Sequence, residues 1–325
     1  MEKIIRNLRR RGWLGLLRAS IFCMLMSGVV FSQPAMAGES LFGYNYVTDT
    51  MPKGKWELEQ WYWGKYGKKH GDYANSLYRT EIEYGVTDNY QISFYTNERH
   101  VYSNKTEDDG STGGEDLPAN FSGDKPFNGL SWEGISIENI YRILSPYKHP
   151  IGLALYFEPS FGPNEIELEP KLIIQKNFME DRLVTVMNLW YELEWEREKG
   201  GAAIEDEETG DVIGFEKTHW GKESVFEVDM GASYRFARNW SAGLEARIHN
   251  EIASFKPKDI EHTAFLFGPN IHYANKRFWV TATVLFQLPF VATYNEEQQQ
   301  ATKGGRVYGE EHESVEARVK TGWLF

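Results

Sequence analysis

The sequence contains a single cysteine, Cys23, which leaves no partner for an internal disulfide and no set of thiolates for a metal. After residue 37 it has no apolar run of the ~20 residues that a membrane-spanning helix needs. Basic residues are also scarce, with 35 Lys and Arg against 47 Asp and Glu. Because binding to a phosphate backbone depends on Lys and Arg, this balance argues against a nucleic-acid partner.

Residues 1–37 have the pattern of a cleaved secretory signal peptide. A basic region from Lys3 to Arg18 precedes an apolar stretch from Ile21 to Phe31, and Ala35-Met36-Ala37 provides the small residues of a cleavage site. The apolar stretch is too short for a transmembrane anchor. We therefore expect an exported protein that loses residues 1–37.

The remaining sequence alternates apolar and polar residues, which is the pattern of β-strands. From Val315 to Phe325 every second residue is apolar or Thr, while Glu316, Arg318 and Lys320 lie on the opposite face. Aromatic residues make up 15% of the chain, yet the mean hydropathy is −0.52. A transmembrane barrel has such an average because only alternate residues face lipid. Twelve strands are predicted, at 55–65, 74–86, 89–103, 131–144, 150–161, 164–176, 182–197, 222–236, 240–252, 262–274, 277–289 and 312–325.

Short and long connections alternate between these strands, as in bacterial outer-membrane barrels with short periplasmic turns and long outer loops. The sequence therefore predicts an all-β, antiparallel up-and-down transmembrane barrel over residues 54–325, with 10 or 14 strands as alternatives. Residues 38–53 either lie in the periplasm or plug the barrel. Pro170 predicts a bulge or a local break in its strand. Two tryptophan girdles are expected at the membrane interfaces, formed by Trp56, Trp240, Trp279 and Trp323 and by Trp132, Trp195 and Trp220.

The inward face of the predicted barrel carries more acidic than basic side chains, and an acidic lumen favours cations. The inward acidic residues are Glu57, Glu59, Glu81, Glu83, Glu138, Glu158, Glu165, Glu167, Glu169, Glu192, Glu194, Glu196, Glu227, Asp229, Glu245 and Glu316. The inward basic residues are Arg79, Arg142, Lys171, Arg235, Arg247, Arg318 and Lys320. These charges either line a wet lumen or pair in a network that fills it. A barrel of twelve strands is intermediate in width and does not decide between them.

Three stretches carry a resemblance to known proteins. The alternation that ends at Trp323 and Phe325 resembles the C-terminal signal that the barrel-assembly machinery reads in Gram-negative outer-membrane proteins. The stretches from Leu41 to Glu57 and from Glu83 to Tyr90 resemble a family of uncharacterised outer-membrane barrels. The second stretch is also similar to outer-membrane transporters of the phenol-degradation meta-pathway. The resemblance implies location in the outer membrane, contact with its lipid and lipopolysaccharide, and a role in solute passage.

The favoured function is a channel or transporter for small polar or cationic solutes. A non-conducting structural or anchoring barrel is the first alternative. The second is an enzyme acting on lipid or peptide, since inward His249 has Glu245 and Glu251 on its own face and inward His272 follows on the next strand. No serine in a recognisable nucleophile setting accompanies them, so we expect no enzyme.

The sequence predicts neither a cofactor nor a metal site. Acidic runs in two outer loops, 107–116 and 205–211, have oxygen ligands for a divalent cation but not the spacing of a calcium loop. We interpret them as solvated loops.

Overall fold

The computed structural model describes residues 40–114, 117–118, 121–198, 203–205, 212–215, 217–289, 299–308 and 312–325. The signal-peptide prediction therefore lies outside the described residues. Twelve long strands form the wall, namely β1 (Trp56–Tyr66), β2 (Asp72–Thr87), β3 (Tyr90–Asn104), β4 (Phe127–Leu144), β5 (Gly152–Phe161), β6 (Glu165–Phe178), β7 (Leu183–Glu198), β8 (Glu223–Ala237), β9 (Trp240–Ile252), β10 (Ile260–Ala274), β11 (Phe278–Gln287) and β12 (Val315–Leu324).

The sheet closes on itself. Each strand pairs antiparallel with the next along the chain, and β12 pairs with β1 from Glu57↔Leu324 to Tyr66↔Val315. The predicted antiparallel barrel of twelve strands is confirmed, and most strand ends lie within two residues of the predicted ones. Short strands also occur in the long loops, at 203–205, 212–215, 219–220, 302–303 and 306–307. No helix among the described residues is long and apolar enough to cross a membrane.

Proline interrupts the ladder without shifting its register. The pairing of β6 with β7 stops after Leu168↔Leu193 and resumes at Lys171↔Trp190, so the predicted irregularity at Pro170 is a local break. The same two-residue gap occurs at Pro269 between β10 and β11. A proline nitrogen carries no hydrogen and cannot donate to the neighbouring strand.

The two faces of the wall differ as the alternation predicts. Large apolar side chains remain exposed on the outer face, for example Ile82, Phe94 and Leu155, which are 45%, 54% and 49% exposed. Charged and amide side chains are buried on the inner face, including Glu81 and Lys320 at 1% each. The core of the molecule is therefore polar and lies in the lumen.

Aromatic pairs ring the end of the barrel that carries the short turns, which we call the short-turn end; the opposite end is the long-loop end. Trp56 packs on Tyr84 and Trp240 on Tyr273, with ring centroids 4.4 and 4.9 Å apart. The prediction that Trp279 belongs to this outer ring is wrong. Trp279 is fully buried on the inner face, where its indole nitrogen donates to Glu57.

Candidate functional site

The segment of residues 40–53, here called the plug, lies inside the barrel. Its turn from Gly43 to Asn45 surrounds the carboxylate of Glu245 in β9. The backbone nitrogens of Gly43, Tyr44 and Asn45 donate to that carboxylate at 2.9, 2.9 and 3.1 Å. Thr283 of β11 also donates to it, at 2.7 Å. The Glu245 carboxylate thus accepts the backbone hydrogen bonds that a neighbouring strand would otherwise accept from the start of the plug.

Three uncharged wall amides continue this pairing toward the short-turn end. Asn188 of β7 accepts from the nitrogen of Tyr46 at 2.6 Å and donates to its carbonyl at 3.0 Å. Gln175 accepts from the nitrogen of Thr48 at 2.7 Å, and Gln91 accepts from the nitrogen of Met51 at 2.8 Å. Buried backbone groups need such partners. The wall therefore specifies the path of the plug.

Aromatic side chains of the plug fill the lumen. Tyr44 packs with Leu266 and Leu285 on one wall, and Tyr46 packs against a patch that includes Tyr156. Phe42 is fully buried against Gly231, where an added Cβ would lie 2.8 Å from the phenyl ring. The absence of a side chain on this glycine provides the space for the ring.

Removal of the Glu245 carboxylate is expected to loosen the plug. In Glu245→Ala the three nitrogens of Gly43 to Asn45 lose their acceptor, and each unsatisfied buried group costs about 1–3 kcal/mol. Hydrogen exchange of these amides, followed by mass spectrometry, should rise by roughly 10- to 100-fold. Glu192→Gln, which alters another inward carboxylate, is the control and should leave their exchange unchanged. Equal protection in both variants would contradict this arrangement.

Above the plug lies a cavity of about 180 Å³, here called the inner cavity. Tyr44 and Tyr46 form part of its lining, and ten carboxylates face six basic side chains across it. The carboxylates are those of Glu133, Glu158, Glu165, Glu167, Glu169, Glu192, Glu194, Glu227, Asp229 and Glu316. The basic side chains are those of Lys65, Arg79, Arg99, Lys171, Arg247 and Arg318. Carboxylates therefore outnumber basic side chains in the lining of the inner cavity.

Ion pairs compensate part of this charge. Arg79 pairs with Glu158, and Arg247 pairs with Glu227 and Glu316 across the lumen. The Arg318 guanidinium lies 4.2 Å from the centre of the Tyr44 ring and donates to the Gly43 carbonyl at 3.3 Å. Arg318 is thereby held against the plug. Ion pairing, which the filled-lumen alternative requires, thus involves part of the wall.

A group of four carboxylates on β6 and β7 makes up the acidic side of the inner cavity. We call Glu165, Glu167, Glu192 and Glu194 the acidic wall. Glu167 and Glu194 are direct cross-strand partners. Like charges in that position repel each other. The acidic wall thus concentrates carboxylates on one side of the inner cavity.

The inner cavity adjoins two others. A vestibule of about 490 Å³ at the long-loop end shares Arg99, Glu133 and Glu165 with it. Beyond Tyr46, toward the short-turn end, a lower cavity of only about 40 Å³ contains Glu81, Glu83 and Glu138 among its lining residues. The lumen is thus wide at the long-loop end and nearly filled below the plug.

Two of the residues predicted to line the lumen lie at the short-turn end. Arg142 donates to the carbonyl of Asp88 and lies 3.6 Å from Asp49 of the plug. Arg235 donates to the Asp181 carbonyl at 3.4 Å. Neither lines the inner cavity, the vestibule or the lower cavity. Their strands end here, so alternation correctly assigns a face but overstates how far the lumen extends.

The predicted assembly signal lies on the outer face beside the first strand. Trp323 and Phe325 are 41% and 69% exposed, and the Phe325 nitrogen donates to the Trp56 carbonyl at 3.0 Å. Recognition by the assembly machinery stays a prediction.

The histidine expected to pair with Glu245 has a different partner. Glu245 is engaged by the plug, and the Nδ1 atom of His249 contacts Glu227 instead. Among the described residues, no hydroxyl group is hydrogen-bonded to His249. Burial, with the neighbouring His249 and His262, holds the pKa of His312 well below its usual range. His272 is buried separately and contacts the Thr281 hydroxyl at 2.7 Å.

The first acidic loop has protein partners for its charge. Asp108 lies 2.9 Å from Lys69 and 2.8 Å from His70. The hydrogen bond from Lys69 lowers the pKa of Asp108. Residues 115–116 and 206–211, the rest of the predicted acidic runs, lie outside the described residues.

These features define a closed β-barrel with residues 40–53 inside its lumen. Residues 34–325 match the model of a family of unknown function, DUF6662, and the chain belongs to this family. No curated protein matches it. The phenol-pathway resemblance stays a prediction.

Solved structures with a similar chain course include three barrels. An outer membrane channel from Pseudomonas putida F1 is 8% identical, with a TM-score of 0.48 over 91% of this chain and 100% of that one. The KdgM porin is 10% identical, with a TM-score of 0.42 over 83% and 99%. The translocator domain of the autotransporter NalP from Neisseria meningitidis is 10% identical, with a TM-score of 0.45 over 86% and 91%. Similarities this weak carry no argument about function.

Proposed function

We propose that this protein is an outer-membrane channel for small polar or cationic solutes, closed by its own plug. The observation that carries the proposal is the acidic inner cavity, which adjoins the vestibule on one side and has the plug tyrosines in its lining on the other. A lumen filled only for stability would not need such an excess of carboxylates around an open cavity. The exposed apolar band and the aromatic pairs at the short-turn end support insertion in a membrane.

Solute passage requires displacement of the plug. The lower cavity has a volume of only about 40 Å³ and is lined by Tyr46, Val47 and Asp49 of the plug, so we expect residues 40–53 to obstruct the passage of solutes. The plug is held mostly by hydrogen bonds to side chains of the wall. Water can take over these hydrogen bonds when the plug leaves the lumen. The plug is therefore the gate of the proposed channel.

A liposome swelling assay tests the proposal. Vesicles containing the refolded chain without residues 40–53 should swell in isosmotic solutions of a small sugar or of lysine hydrochloride, and more slowly in sodium glutamate. Vesicles with the full chain should swell far more slowly in all three. Heat-modifiable gel mobility verifies that both barrels are folded. A folded barrel without the plug that leaves vesicles impermeable would favour the non-conducting alternative.

A further inference from the structure

Three histidines and a glutamate meet where the vestibule adjoins the inner cavity. His249 and Glu251 are two residues apart on the inner face of β9, and His262 of β10 lies directly opposite Glu251. His312 reaches the same point from the segment that precedes β12. All four side chains are buried, with exposures of 7%, 8%, 6% and 1% for His249, Glu251, His262 and His312.

Three of these side chains have the spacing of metal ligands. The Nε2 atoms of His249 and His312 lie 3.8 and 3.7 Å from the same oxygen, Oε1 of Glu251. Ligand atoms of all three lie within 4.8 Å of one another. Ligands of a tetrahedral ion with bonds of ~2.1 Å are separated by roughly 3.4 Å. The two nitrogen-to-oxygen distances of 3.8 and 3.7 Å are close to this separation, so a small movement of the side chains would let all three contact one ion.

The Nε2 atoms of His249 and His312, which lie near Oε1 of Glu251, lack hydrogen-bond partners in the part of the chain that the structure describes. Among the described residues, neither Nε2 of His249 nor Nε2 of His312 has a hydrogen-bond partner, although both side chains are more than nine-tenths buried. A buried polar atom without a partner is costly. An ion bound between them would satisfy both.

Neighbouring side chains hold the His249 imidazole in the orientation that a metal ligand requires. The Nδ1 atom of His249 contacts the carboxylate of Glu227, which accepts two hydrogen bonds of 2.7 Å from Arg247. A carboxylate on one imidazole nitrogen fixes the tautomer and directs the lone pair of the other nitrogen to the metal. His262 lies 3.0 Å from the second oxygen of Glu251 and orients that carboxylate.

We propose that His249, Glu251 and His312 bind a divalent transition-metal ion, with Glu227 and His262 as positioning residues. Two imidazoles and one carboxylate favour Zn²⁺, Ni²⁺ or Cu²⁺ over Ca²⁺ and Mg²⁺, which prefer oxygen ligands. Three protein ligands leave a fourth position for water or a solute group. The site does not depend on conduction. It would fasten the segment around His312 to the wall beside β9.

Zinc titration of the refolded full chain tests the site. After treatment with a chelator, isothermal titration calorimetry should show one Zn²⁺ ion bound per chain. Co²⁺ in place of Zn²⁺ should give the intense visible bands of a four-coordinate ion. His312→Ala and Glu251→Gln should each weaken Zn²⁺ binding by ~100-fold or more, because even loss of a positioning residue costs 10- to 100-fold.

A matched histidine provides the control. His149 is exposed in the turn at the opposite end of the barrel, so His149→Ala should bind Zn²⁺ as the unchanged chain does. Heat-modifiable mobility must show that each variant is folded, and Glu251→Gln preserves the shape of the side chain if an alanine variant does not fold. Zinc binding that is equal in the unchanged chain, His312→Ala and Glu251→Gln would overturn the proposal, as would the absence of binding to the unchanged chain.

Discussion

The variant Thr48→Cys/Gly152→Cys is expected to conduct no ions in a planar bilayer when oxidised and to show channel openings after reduction. A disulfide between the two positions would fasten the plug to β5 and prevent its displacement. The full chain should open only briefly and rarely, since the plug has a dense set of wall partners. The reduced variant should open at least as often, because it loses the hydrogen bond that the Thr48 hydroxyl donates to Gln175.

The two positions lie close together, although a Cβ atom on Gly152 also lies 2.9 Å from the Pro146 ring, which must move slightly. A Cβ atom placed on Gly152 would lie 2.7 Å from the Thr48 hydroxyl oxygen, which marks the position of a cysteine sulfur. Disulfide-bonded residues have Cβ atoms ~3.8 Å apart. The only natural cysteine, Cys23, falls in the segment predicted to be removed, so no competing thiol is expected.

The single variant Thr48→Cys is the control for the redox treatment and should conduct equally before and after reduction. Formation of the disulfide can be followed by mass spectrometry of a digest. If the oxidised double variant opens as often as the reduced one, the plug is not the gate.

Neutralising the acidic wall is expected to reduce the preference of the open channel for cations. In a chain without residues 40–53, Glu165→Gln/Glu167→Gln/Glu194→Gln removes three carboxylates from the side of the inner cavity. A charge 4 Å from a permeating ion contributes about 1 kcal/mol even in water. The ratio of cation to anion permeability should therefore fall by roughly fivefold or more.

Removal of carboxylates from an outer loop should change the ratio of cation to anion permeability less. Glu107→Gln/Asp108→Asn/Asp109→Asn removes the same number of carboxylates from an outer loop, and surface charges are screened beyond ~10 Å at 0.1 M salt. Reversal potentials in a salt gradient give the permeability ratio for both triple variants. Equal ratios in the two would show that net charge, and not the acidic wall, sets the selectivity.

The barrel was predictable because its pattern is local and repeated. A strand with one face in the lumen must alternate residue by residue, and the short turns keep successive strands in order. Trp279 shows where this reasoning needs care. Its position in the alternation assigned it to the inner face, while its residue type suggested an aromatic girdle, and the alternation was the better guide.

The site was less predictable because it depends on contacts between distant parts of the chain. The inward carboxylates could be found from alternation, but their function as an acidic wall or as plug partners could not. Asn188, Gln175 and Gln91 carry no charge, so the excess of inward carboxylates gives no indication of their function. Inward amides opposite a segment without its own strand partner are a signal that could have found them.

The histidine cluster depends partly on local alternation and partly on contacts between distant parts of the chain. His249 and Glu251 follow from alternation on one strand, and the register of β9 with β10 adds His262. His312 falls at the start of the predicted last strand, but that strand pairs with neither β9 nor β10, so only the folded structure brings His312 to the other three.

Single-channel recording across a salt gradient tests the central claim most directly. The refolded chain without residues 40–53 should give steady currents with a cation-selective reversal potential, while the full chain should be closed most of the time. A silent membrane from the shortened chain, with its folding verified by heat-modifiable mobility, would contradict the account of a plugged acidic channel.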